Sequence, residues 1–175
     1  MRYNGNLCCL LVFLILLDVS FFKRNKKKIT DRKPIELKAI QYEPKIILAW
    51  AKAIEGDKVI QLGLKENGYP ELFHATEAIF LNQVSRDWLI ANGYGQLMAM
   101  VNAAEGLTEA SEWLATHKFE LLFHIGRAVD HNPESWVWLK QFTTPDLFML
   151  AKSIQFIKDQ IEENHGDIHS MGKDL

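Results

Sequence analysis

The 175 residues are enough for one domain of about 130 residues with a continuous core, set behind an N-terminal appendage. The two cysteines, Cys8 and Cys9, are neighbours inside an apolar N-terminal run, so the rest of the chain has no thiol for a disulfide framework or a cysteine-based metal site. Residues 1–42 carry nine Lys/Arg against three acidic residues, net +6, and residues 43–175 carry eleven against nineteen, net −8; so acidic a domain argues against nucleic-acid binding, which needs clustered positive charge.

The apolar run extends from Leu7 to Leu17, continues past Asp18 with Val19, Phe21 and Phe22, and is closed by Lys23, Arg24, Lys26, Lys27 and Lys28. We expect an apolar helix within residues 1–22. It is short of the roughly 20 residues that span a bilayer, and three readings stay open. As a membrane anchor, its basic C-terminal flank would hold the following domain in the cytoplasm. As a signal peptide it has the right apolar length, but Asp18-Val19-Ser20 is a poor small-x-small cleavage site and the positive charge lies mostly after the run. As translation from upstream of the native start, its Lys, Asn, Phe and Leu match AT-rich DNA, and the domain is then soluble and cytoplasmic. Residues 23–42 read as a basic linker. It is either solvated or held on an anionic membrane surface through Lys23, Arg24, Lys26, Lys27 and Lys28, at about 1 kcal/mol for each cation near the headgroups.

From residue 43 the chain repeats. Trp88-Leu89 returns as Trp113-Leu114 and Trp138-Leu139, 25 residues apart each time, and a weaker copy places Gly63-Leu64 in the same columns. Further columns are Ile47, Leu72, Leu97, Leu122, Leu147 and the small residues Ala53, Ala78, Ala103, Ala128, Ser153. Within one unit, Leu72, Phe73, Thr76, Ile79 and Phe80 have the spacing of a first helix with one apolar face. A second helix runs through Val84, Trp88 and Leu89. Before it, Asp57, Asn82 and Asn132 share the N-cap column, where a short side chain accepts from orphan N–H groups; Pro133 stands at a first helical position, and Thr108 has to serve one position late. Asn67-Gly68 and Asn92-Gly93 end the second helix where the backbone turns left-handed, with Tyr69 and Tyr94 covering Leu64 and Leu89; Phe119 covers Leu114 without the glycine. Pro70-Glu71 and Thr144-Pro145-Asp146 read as starts of the next first helices.

One such unit cannot bury its apolar stripe alone, so successive units stack on a shared core. The expected fold is all-α: a short α-solenoid of about four 25-residue helix-turn-helix repeats and a longer C-terminal capping helix from about Asp146 to Glu163, together filling residues 43–163. Residues 164–175 read as a flexible polar tail. Trp88, Trp113 and Trp138 are read as core. The architecture resembles the broad class of α-solenoids such as TPR and HEAT arrays, and its unit length is similar to that of the leucine-rich repeat variant family. None of the signatures of those families is present, so the resemblance implies fold class alone.

No Gly-rich phosphate loop, nucleophile elbow or His-Glu-x-x-His occurs, and the carboxylates stand singly on helix faces. His117, His124 and His131 recur every seven residues, but two helical turns put His124 and His131 roughly 11 Å apart, too far to share one ion. His165 and His169 have ligand spacing that Gly166 interrupts. We therefore expect no catalytic residue, metal or cofactor. The informative positions lie on the first helices, on the side opposite the core. His74 and Glu77, then Asn102, then His124, Arg127 and His131, and finally Met149, Lys152 and Phe156 form one surface whose chemistry varies from unit to unit, as repeat proteins build recognition surfaces. Trp136, with Val137 beside it, stands in a column otherwise holding Gln61, Arg86 and Ser111; it is an interface anchor or a contact to the closing helix through Ile161. On this reading the protein is a non-enzymatic module or scaffold that binds a protein or peptide. The alternatives are a structural membrane-tethered spacer and an enzyme whose site the sequence does not signal.

Overall fold

The computed structural model describes residues 35–166. The apolar helix expected within residues 1–22, the cluster Lys23, Arg24, Lys26, Lys27 and Lys28, and the tail beyond Gly166 lie outside the described residues. Among the described residues, no helix is long and apolar enough to cross a membrane. Contacts divide the chain into Met1–Glu36 and Leu37–Leu175, and every helix described below belongs to the second unit.

The described residues are all-helical, with nine helices and no strand. The first helices of successive units are α1 (Pro44–Ile54), α3 (Pro70–Ile79), α5 (Gly95–Ala103), α7 (Glu120–Val129) and α9 (Pro145–Gly166). The second helices are α2 (Lys58–Glu66), α4 (Gln83–Ala91), α6 (Thr108–Thr116) and α8 (Pro133–Phe142). Each helix packs on the next, and first helix packs on first helix, in a helical-repeat, solenoid-like arrangement.

Local chemistry sets the boundaries. The side chains of Asp57, Asn82 and Asn132 accept from the N–H groups of Ile60, Ser85 and Ser135, capping α2, α4 and α8. The third unit departs from expectation. Leu107 occupies the cap column with no side-chain bond, and Thr108 is already the first residue of α6, too late to cap it. At the other end, the N–H groups of Tyr69, Tyr94 and Phe119 donate to the carbonyls of Leu64, Leu89 and Leu114 at 2.9, 2.8 and 2.9 Å. That bond needs a left-handed residue just before it. Gly68 and Gly93 supply it at φ 91° and 86°, and Lys118 is forced to φ 60°.

The core is built from the leucines of the Trp-Leu pairs and the inner faces of the first helices. Leu89, Leu114 and Leu139 are completely buried, whereas Trp88, Trp113 and Trp138 are half-buried, so the expectation of core tryptophans is corrected. One residue along a helix is about 100° of rotation, and when leucine points inward its neighbour lies on the flank. The small-residue column has a packing reason: Ala53, Ala78, Ala103 and Ala128 are all fully buried where first helices cross. At Gly126 the approach leaves no room for a methyl group: an added Cβ would lie 2.7 Å from Ala103 Cβ and 3.1 Å from Met100 O.

The arrangement also closes on itself. α9 packs more extensively against α1 than any other helix pair does. Ser153 Oγ donates to Glu55 Oε1 across this seam at 2.7 Å, joining residues 98 apart in sequence. Glu105, just beyond α5, accepts from Arg86 of α4 and, at 3.0 Å, from Lys158 of α9, so one carboxylate ties three parts of the domain together.

Candidate functional site

The repeat register explains where the anticipated surface residues go. Glu77 Oε1 accepts from Gln61 Nε2 at 2.6 Å, sixteen residues earlier in the chain. At the same offset in the last unit, the Lys152 ammonium lies 3.8 Å from the centroid of the Trp136 ring. Glu77 with Gln61 and Lys152 with Trp136 thus meet across the joint between one unit and the next, at the same offset in the repeat. Asn102 is buried, with 7% exposure, and the expectation that it stands on an open surface is corrected. Glu77, half-buried, also accepts from Asn82 Nδ2 at 3.2 Å. Arg127 is half-buried and lies 3.9 Å from Asp130 Oδ2.

The histidines are held by their own units. His74 stacks on Trp88 and His124 on Trp138, each with ring centroids 4.0 Å apart. Their Nδ1 atoms meet Ser85 Oγ at 3.0 Å and Ser135 Oγ at 3.2 Å. Burial in these stacks lowers the pKa of both imidazoles. His131 is exposed but takes the left-handed turn position after α7, at φ 60°. Its Nε2 lies 3.4 Å from Asp159 Oδ1 and its Nδ1 3.3 Å from Gln155 Nε2, so it latches the α7 turn to α9.

Trp136 meets the closing helix through Phe148, edge-on at 5.4 Å, and through Lys152. Val137 beside it stays 64% exposed.

What remains open is the face of α9 itself. In the second and fourth units His74 and His124 are covered by the tryptophan of the same unit's second helix. In the last unit the tryptophan column falls on Glu163, still within the uninterrupted α9, so among the described residues no second helix turns back to cover it. Met149 and Phe156 are left 50% and 57% exposed. They border an open concavity of ≈ 320 Å³ with Lys152, Ser153 and Glu55. Lys52 and Ser153 both donate to Glu55, at 2.6 and 2.7 Å, and these bonds hold its carboxyl below the usual pKa range. The walls are apolar, with one fixed anion and one cation at the rim. Such a site suits holding an apolar side chain with polar neighbours. Sequence reading placed Met149, Lys152 and Phe156 on a shared face but had no signal for Glu55, which arrives only when α1 meets α9.

Among the described residues, no three His, Cys, Asp or Glu side chains gather into a metal site. No protein-family model, curated protein or solved structure matches the chain. Fold and site together define an all-α protein of consecutively packed helices whose last described helix has one face uncovered by the other described residues.

Proposed function

We propose that the protein is a non-enzymatic helical-repeat module or scaffold, and that it binds a protein or peptide through the uncovered face of α9 with Trp136 and Val137 at its border. The observation that carries this reading is the pair Met149 and Phe156, large apolar side chains at least half exposed around one concavity. A cluster of that kind, rimmed by charge, marks interaction surfaces more often than isolated exposed side chains do. The vacancy has the place of a missing second helix, so an amphipathic helix of the partner fits it, with its apolar positions on Met149 and Phe156.

The test is affinity capture with the full chain, comparing wild type with Phe156→Glu and Met149→Glu. A partner held by the wild type is expected to lose at least tenfold in recovery with either charged variant. Val59→Glu, at an 82% exposed position on α2, serves as the control and should retain it. Full recovery with both α9 variants would refute the reading and favour a structural spacer.

A further inference from the structure

The tryptophan column is filled in three units and empty in the first. Trp88 lies against His74 at 4.0 Å and Tyr94 at 6.0 Å, the latter with planes 9° apart. Trp113 lies against His117 at 4.2 Å and Phe119 at 5.7 Å, and Trp138 against His124 at 4.0 Å and Phe142 at 5.5 Å. In the first unit, the tryptophan column holds Gly63 and the column of His74 and His124 holds Ala49. The aromatic residue after the turn, Tyr69, is still present. The result is an open concavity of ≈ 240 Å³ whose lining includes Ile46, Ala49, Ile60, Gly63 and Tyr69. A Cβ built on Gly63 meets no atom within 4 Å, so the direction a side chain would take is clear.

The frame around this gap matches the filled ones. Asn67 Nδ2 donates to Gly63 O at 2.7 Å, as Asn92 Nδ2 does to Trp88 O at 2.8 Å. Tyr69 N–H donates to Leu64 O at 2.9 Å, as Tyr94 N–H does to Leu89 O at 2.8 Å. Tyr42 packs edge-on against Tyr69 with centroids 6.0 Å apart, and its hydroxyl donates to Glu71 at 2.9 Å, fixing that ring from outside the gap. The backbone that carries an indole in the second unit is thus reproduced in the first without the indole.

We propose that this notch receives the indole ring of a tryptophan on an interacting polypeptide. The inference is independent of the α9 face, since it stands on a different unit and on the molecule's own examples of what fills the same space. A planar ring entering beside Ala49 gains apolar burial and an aromatic neighbour in Tyr69, as Trp88 does with Tyr94. Tryptophan is also among the residue types enriched as buried anchors at interfaces.

The test is a titration of the isotope-labelled full chain, followed by amide NMR, with the tripeptide Gly-Trp-Gly and separately with free indole. Saturable shifts are expected at the amides of Gly63, Asn67 and Tyr69, with no response to Gly-Ala-Gly. Gly63→Trp supplies the ring in cis and should abolish the shifts while raising Tm. If that variant fails to fold, Gly63→Met fills the same space with an adaptable side chain and should also abolish them. No saturable shift in the wild type, or equal shifts once the notch is filled, would overturn the proposal. Binding of Gly-Trp-Gly tenfold weaker than indole would also overturn it, by assigning the notch to a small aromatic molecule.

Discussion

His74 lies flat on Trp88, planes 19° apart, and fifty residues later His124 lies on Trp138 with planes 13° apart. Desolvation in the stack is the main cause that lowers both imidazole pKa values; Lys65 adds to it at His74, while Glu77 there and Glu120 at His124 oppose it. A base whose folded pKa is depressed binds fewer protons folded than unfolded. Its contribution to stability is therefore whole above the unfolded histidine value of about 6.5 and declines as pH falls below that toward the folded pKa. Thermal unfolding followed by tryptophan fluorescence should show Tm falling below about pH 6.5. The His74→Gln, His124→Gln double variant should show a shallower decline, and an unchanged slope would refute the assignment.

The α5–α7 crossing depends on a missing methyl group. With Ala103 Cβ 2.7 Å from where a Gly126 Cβ would stand, and a backbone carbonyl next nearest, no flexible side-chain end can move aside. Gly126→Ala gains helix propensity of about 1 kcal/mol but forces two helices apart, and should destabilise by about 2 kcal/mol net. Chemical denaturation of the two chains measures it. A stabilised variant would mean that the helices are not in contact there.

Two positions in the third unit fall short of the pattern the two earlier units follow, and restoring them should stabilise. Lys118 holds φ 60° where Gly68 and Gly93 stand in earlier units. Lys118→Gly should therefore add about 0.5–1 kcal/mol by relieving left-handed strain. Leu107→Asn should supply the missing cap of α6, worth about 1 kcal/mol. The sites flank α6 at opposite ends, so the two gains should add in the double variant.

Among the described residues, Glu105 is the single carboxylate paired with both Arg86 and Lys158, and the Lys158 side chain is only 6% exposed. Removing it leaves two cations with no counter-charge in a partly buried place. Glu105→Gln should cost about 2 kcal/mol, less than the 3–5 kcal/mol of a fully buried pair because Glu105 keeps some contact with water. Adding Lys158→Met should recover part of that loss. A neutral Glu105→Gln would show that the triad is a surface pairing of little weight.

The period, the caps and the turns are legible in the chain because each depends on residues within a few positions of one another. Asn82 accepts from Ser85 N–H three residues on, and Gly93 takes its left-handed φ whatever the rest of the protein does. Which member of each Trp-Leu pair points inward was not legible, because both are apolar and adjacent, and only the packing of neighbouring units decides the rotation of the helix. Nor could the burial of Asn102 be read, since a polar residue in a varied column looks exposed until its neighbours are in place. Closure of α1 on α9 is the furthest from sequence. It sums a small rotation over every unit, and it brings Glu55 to Ser153 across 98 residues with no local pattern to announce it. The chain by itself determined what each unit is, through short-range backbone chemistry. Tertiary packing alone decided which faces the stacked units cover and that, among the described residues, α9 keeps one bare, because burial depends on contacts made only once α9 has come back to α1.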